Sequence, residues 1–201
     1  MKILILGDSH CRDLDKLVEN KDIDTQIQTY IISVGGNTDA IMFQYRAELP
    51  QILTFGPEYI IVHTGNNEMG YHATKNPSPK DSTETTLITI QAANILHGNH
   101  PFATIVLSAA FPRILSRSSP FTFEDLVHYN TTVKRHANRL RSEAAKVNFE
   151  SFLNNLLWKN KKALLVKTQH FMPDGLHLTQ TAKKLVINDW ITRLRQLQAT
   201  T

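Results

Sequence analysis

Lys2-Ile3-Leu4-Ile5-Leu6 runs straight into Gly7-Asp8-Ser9-His10, and this junction decides the fold. Ile3 to Leu6 is apolar at every position, which predicts a strand covered on both faces, as in a buried parallel sheet. Gly7 ends the run, and Asp8 and Ser9 fall on the turn beyond its carboxyl end. Ligands of open α/β sheets bind at that end. Ser9 is therefore a candidate nucleophile by position. The competing reading is that Asp8 or Ser9 caps the helix that follows. Position alone does not separate the two.

Outward from this junction the pattern alternates. A helix is predicted near residues 11–20 and a second strand at about 25–33, with Ile27, Tyr30, Ile31 and Ile32. Gly35-Gly36-Asn37 breaks that strand, and a helix is predicted from Thr38 to Leu49. After the Gly56-Pro57 turn, Tyr59-Ile60-Ile61-Val62 reads as the third strand, ending at His63-Thr64-Gly65. A helix is predicted from Ser82 to Leu96, and Thr104 to Leu107 reads as the fourth strand. Leu126, Val133, Ala137, Leu140 and Ala144 recur at helical spacing and predict a long helix from Phe123 to Lys146. A fifth strand is expected near Val147–Phe152 or Ala163–Val166. The last helix spans about Thr181 to Gln198, with Thr179 as N-cap. The alternation predicts an α/β chain, a three-layer α/β/α sandwich on a parallel sheet.

The bulk numbers bound the class. At 201 residues, one domain over 1–201 is expected, large enough for a full core. Apolar content of 41% and charged content of 20% fit a soluble globular protein. No apolar run nears the ~20 residues that span a bilayer. The first strand is too short, and too soon broken by Asp8, to read as a signal peptide. The single cysteine, Cys11, excludes an internal disulfide, and a cytoplasmic location is expected. The net charge is +4. Lys134, Arg135, Arg139, Arg141 and Lys146, then Lys159, Lys161 and Lys162, form basic clusters. A basic stripe can hold phosphates, but without interleaved aromatics a solvated helix face is the preferred reading.

Three strand ends carry unusual residues: Asp8-Ser9, Gly35-Gly36-Asn37 and Gly65-Asn66-Asn67-Glu68. In a sheet of order 2-1-3 these turns share the crevice at the topological switch point. A hydroxyl, a glycine N–H and a neutral asparagine amide in one crevice suit acyl transfer, because the donors hold the developing oxyanion. A serine also needs a base. Of nine histidines, His177 stands apart in Asp174-Gly175-Leu176-His177, just before the last helix. A three-residue step on a turn can bring the Asp174 carboxylate to the His177 ring and fix its tautomer. The alternative is that both residues only shape the helix entry.

Taken in order, Gly7-Asp8-Ser9, Gly36, Gly65-Asn66-Asn67 and Asp174-Gly175-Leu176-His177 resemble the blocks of the SGNH (GDSL-type) hydrolase superfamily, and they span nearly the whole chain. The resemblance implies a flavodoxin-like five-stranded parallel sheet of order 2-1-3-4-5. It also implies ester hydrolysis through an acyl-serine. By motif, Ser9 is the nucleophile, His177 the base and Asp174 its partner. The Ser9 N–H, the Gly36 N–H and the Asn67 side chain form the oxyanion hole. Gly36 is chosen over Gly35 because the family's glycine precedes a polar residue, here in Gly36-Asn37-Thr38. Within the superfamily the chain is similar to small acetylhydrolases of the platelet-activating-factor type. It also resembles esterase domains of retrotransposons, through Gly-Asp-Ser-His and Asp-Gly-Leu-His-Leu. Two departures stand out: His10 where many relatives carry an apolar group, and Glu68 in place of the commoner aspartate.

The expected substrate is a small acyl ester, such as an acetyl ester of a lipid or carbohydrate, with no cofactor and no metal. The segments from Met69 to Lys80 and from Ala110 to Pro120 are the expected pocket walls. The rival is a binding module of the same fold, using the basic helix for nucleic acid or a protein partner, with hydrolysis secondary or lost. Cys11 as nucleophile, His97 with His100 as metal ligands and Gly35-Gly36 as a dinucleotide loop are each set aside. His63 reads as a satisfied core residue. The sequence does not specify an oligomeric state.

Overall fold

The computed structural model describes residues 1–18, 26–70, 78–115, 122–152 and 168–200. Strands β1 (Lys2–Gly7), β2 (Gln28–Ser33), β3 (Tyr59–His63), β4 (Thr104–Ser108) and β5 (Glu150–Phe152) form one sheet in the order β2-β1-β3-β4-β5. Every pair is parallel, and the register sets Gly7 beside Ser33 and His63, and His63 beside Ser108. This is the predicted order, and the helices flanking the sheet complete the expected three layers. Of the two segments considered for the fifth strand, the one at Glu150–Phe152 pairs with β4. Residues 163–166 lie outside the described residues.

The even apolar run of β1 is explained by burial on both faces. Ile3 and Ile5 enter one core with Ile61, Val106 and, from α6 (Gln180–Gln198), Ile187 and Trp190. Leu4 and Leu6 enter the other core with Ile60, Val62 and Leu107. That second face is covered by α1 (Thr38–Ala47), α2 (Leu49–Phe55), α4 (Ser82–Asn99) and α5 (Phe123–Lys146). Between β3 and α4 lies the one-turn helix α3 (Asn66–Met69). Thr179 caps α6 by accepting the Ala182 N–H, as expected. Among the described residues no helix is long and apolar enough to cross a membrane.

Two local expectations are corrected. No α-helix forms over residues 11–18; the chain makes two single 3-10 turns, Ser9–Cys11 and Asp15–Leu17. Asp13 sits between them at φ 64°, and a left-handed residue cannot continue a right-handed helix. The helix predicted from Thr38 to Leu49 ends at Ala47, and a second helix, α2, starts at Leu49 with Pro50 in its first turn. Gly56, at φ 62°, then ends α2 in the left-handed conformation.

Candidate active site

All three loops named from the sequence meet at the carboxyl ends of β1, β2 and β3, and the turn before α6 closes over them. Sequence position left open which of Asp8 and Ser9 caps the turn that follows. Asp8 is the cap: its Oδ1 accepts the His10 N–H at 2.9 Å. Ser9 points elsewhere, with Oγ 3.1 Å from His177 Nε2. Gly7 makes this turn feasible, since a Cβ there would lie 2.2 Å from Cys11 Sγ.

His177 Nδ1–H donates to Asp174 Oδ2 at 2.6 Å. Asp174 Oδ1 accepts the N–H groups of Leu176 and His177 at 2.9 and 3.0 Å, so one carboxylate folds the turn and orients the ring. Partial burial acts to raise the Asp174 pKa. The hydrogen bonds from His177 and from the two backbone N–H groups outweigh it and hold the carboxyl below its usual value. The turn needs Gly175, whose φ is 69° and whose added Cβ would lie 2.3 Å from the Ile114 carbonyl oxygen. With His177 Nδ1–H fixed by Asp174, Nε2 is free to accept the Ser9 proton.

Asn67, on α3, donates its amide to the Gly36 carbonyl oxygen at 2.6 Å, which joins the second and third loops. This bond sets the orientation of the Asn67 amide. Gly36 itself has its N–H on the Val34 carbonyl oxygen at 2.9 Å, so service as an oxyanion donor requires that tight turn to open. Ser9 N–H has no acceptor among the described residues. Glu68 is buried and takes the Thr38 N–H at 2.5 Å and the Thr38 hydroxyl. Its carboxylate therefore sits at the N-terminus of α1, favourable for a negative charge, and the longer arm braces the Asn67 loop.

Asn66 is the residue that the sequence reading passed over. Its Nδ2 donates to Asp8 Oδ2 at 2.6 Å and lies 3.1 Å from His63 Nε2. Its Oδ1 accepts the Phe111 N–H at 2.8 Å and faces the Tyr129 hydroxyl at 3.2 Å. Arg113 donates to the Asn66 carbonyl at 3.1 Å and stacks 4.0 Å over the Tyr129 ring. Burial holds His63 neutral, with its pKa lowered to about 4. Its Nε2 is the acceptor for Asn66, and Nδ1–H donates to Ser108 at 3.2 Å, so His63 is a satisfied core residue as expected. The only sequence signal for Asn66 was its place beside Asn67. Asn66 is buried and Asn67 half-buried, because adjacent residues on a helical turn point about 100° apart.

The remaining candidates separate cleanly. Burial raises the Cys11 thiol well above its usual pKa, which opposes thiolate chemistry. His100 bonds the Tyr45 hydroxyl at 3.0 Å, while His97 packs edge-on against Phe149, so they do not converge. Asp8, His10 and His63 bring donor atoms within 4.8 Å of one another, the one such group among the described residues. Those atoms are taken by the bonds to Asn66, by the Asp8–His10 contact and by the Leu176 carbonyl. The basic residues Lys134, Arg135, Arg139, Arg141 and Lys146 are exposed along α5, and Lys146 pairs with Glu143. Lys159, Lys161 and Lys162 lie outside the described residues. A cleft of about 270 Å³ opens beside α3, lined by Met69 and Pro79, by Arg113 and by Leu126 and Tyr129. Met69 and Pro79 belong to one expected wall and Arg113 to the other.

The fold, with its five-stranded parallel sheet, is shared with solved lipases and acylhydrolases. A lipase/acylhydrolase from Enterococcus faecalis superposes with a TM-score of 0.68 at 15% identity, over 97% of this chain and 95% of that one. A GDSL-like lipase from Bacteroides thetaiotaomicron gives 0.65 at 14% identity, over 98% and 88%. The acetyl xylan esterase AlAXEase gives 0.61 at 15% identity, over 96% and 99%. No family model matches the sequence, and neither does any curated protein.

Proposed function

We propose that this protein is a serine esterase that hydrolyses small acyl esters, acetyl esters of a lipid or carbohydrate foremost. The observation that carries the reading is the unbroken chain Ser9 Oγ, His177 Nε2, His177 Nδ1 and Asp174, with links of 3.1 and 2.6 Å. Residues 168 apart in sequence meet in the order that proton transfer requires. Ser9 Oγ attacks the ester carbonyl as His177 Nε2 takes its proton. The Ser9 N–H and the Asn67 amide stabilise the oxyanion, joined by the Gly36 N–H once its turn opens. Collapse expels the alcohol, which leaves with the proton from His177. Water, deprotonated by the same Nε2, then releases the acid. Asp174 stays ionised throughout and stabilises the imidazolium.

The small-acyl part rests on the shortness of the two expected wall segments, Met69 to Lys80 and Ala110 to Pro120. It also agrees with the fold neighbours, among them an acetyl xylan esterase. A p-nitrophenyl ester series tests it: acetyl is expected to turn over fastest, and faster turnover of long chains overturns the small-acyl assignment. Fluorophosphonate labelling tests the nucleophile. Wild type is expected to label at Ser9 and Ser9→Ala to lose both labelling and turnover; full activity in Ser9→Ala refutes the triad.

A further inference from the structure

His10 is the part of the nucleophile turn that ester chemistry does not require, yet it is only 8% exposed. Its ring is clamped at both ends. Nδ1 lies 2.7 Å from Asp8 Oδ1, and Nε2 lies 2.9 Å from the Leu176 carbonyl oxygen. A carboxylate and a carbonyl both accept. Only an imidazolium, with an N–H at each nitrogen, satisfies both at once.

The two anchors flank the reacting residues. Asp8 precedes Ser9, and Leu176 precedes His177. We propose that His10 is a positioning residue: as an imidazolium it forms a strut between the nucleophile turn and the base turn, and so holds Ser9 in register with His177. The proposal rests on the Ser9–His177 reading given above. Loss of one proton leaves the Nε2 lone pair facing the Leu176 oxygen at 2.9 Å, and the attraction becomes a repulsion. The Leu176 N–H is held by Asp174, so a shift of Leu176 reaches the carboxylate that orients His177.

The groups around the ring favour the charged form. Asp8 is on the same turn and Cys11, a buried thiol, follows it. From β3 comes His63 at 6.2 Å between ring centres, kept neutral by burial. The segment after β4 contributes the edge of Phe111 at 5.4 Å and the charge of Arg113, which opposes protonation. The turn before α6 contributes His177 at 5.7 Å, and Lys183 of α6 acts on Asp8. Burial and Arg113 push the His10 pKa down, but the Asp8 charge and the two ring hydrogen bonds outweigh them and raise it.

The test uses the intact protein with ¹⁵N-labelled histidine and two variants. His10→Gln can reach Leu176 with an amide that does not titrate, whereas His10→Asn reaches Asp8 alone. At pH 7 both His10 nitrogens are expected to carry protons. Wild-type kcat is expected to fall at alkaline pH as His10 loses one, on a limb that His10→Gln lacks. His10→Asn is expected to lose about 10- to 100-fold in kcat at nearly unchanged KM, as small misplacements of reacting groups do. His10→Gln is expected to recover most of that loss. A singly protonated His10 at pH 7, the wild-type alkaline limb persisting in His10→Gln, or Gln doing no better than Asn each overturns the strut. If wild type neither turns over esters nor labels at Ser9, the esterase reading falls by itself. The strut is then judged on the His177 Nδ1–H resonance: loss in His10→Asn with retention in His10→Gln supports it, and no change in either overturns it.

Discussion

Asn66 and Asn67 are neighbours in sequence with opposite expected fates under substitution. Asn66→Ala strips three buried groups of their partners: Asp8 Oδ2, the Phe111 N–H and His63 Nε2. The Tyr129 hydroxyl is spared, because the Phe111 carbonyl remains 3.0 Å away. At roughly 1–3 kcal/mol for each buried group left unpaired, the total is about 3–9 kcal/mol. That is a large share of the roughly 5–15 kcal/mol by which domains are stable. The half-buried bond to the Gly36 carbonyl that Asn67→Ala removes is worth about 1 kcal/mol or less. Loss of Asn67 as an oxyanion donor, however, is expected to lower kcat on the order of 10²–10³-fold. Urea denaturation and p-nitrophenyl acetate turnover on both variants read the two effects separately. An Asn66→Ala protein within about 1 kcal/mol of wild-type stability refutes the network argument. An Asn67→Ala protein keeping more than about a tenth of wild-type kcat refutes the oxyanion assignment.

Gly175→Ala forces a side chain onto a φ of 69° and against the Ile114 oxygen, so it is expected to displace Asp174 and His177 and cut kcat with little change in KM; unchanged kinetics would show the turn to be adaptable. His63 and His136 are buried and neutral, each with its pKa lowered to about 4 from 6.5. Their neutral forms stabilise the fold fully above pH 6.5, and that stability is lost as the pH falls towards 4, where both would be charged. His10, with its raised pKa, works the other way, since its contribution is complete below its unfolded pKa. The two neutral histidines dominate, and a loss of about 3 kcal/mol between pH 7 and pH 5 is expected in urea denaturation. Equal or greater stability at pH 5 would contradict their burial as neutral rings.

Much of this site could be read along the chain because its parts sit at strand ends, and strand ends are marked by local chemistry. The apolar run of β1 stops at a glycine, and Thr38 and Thr179 fall where helices begin. Where the local signal is weak, the chain departs from the pattern. Residues 11–18 have helical composition, but Asp13 adopts a left-handed conformation that no periodicity announces. The chain breaks at Glu48, yet α2 begins at once with Pro50 in its first turn, and its Ile52 fills a core position.

By itself the sequence determined the sheet: alternation of apolar runs with helical stripes leaves few ways to bury both faces of β1. It also marked Ser9, Asp174 and His177, since a turn can place a carboxylate beside a ring three residues away. The partners of Asn66 and His10 were decided by the tertiary structure alone. Asn66 is committed to Asp8, His63, Phe111 and Tyr129, and His10 to Asp8 and Leu176, contacts that span up to 166 residues. Hydrogen-bond partners follow from which buried donors and acceptors the packed loops bring within hydrogen-bond distance of each other. That is a property of the assembled crevice, and no stretch of the chain contains it.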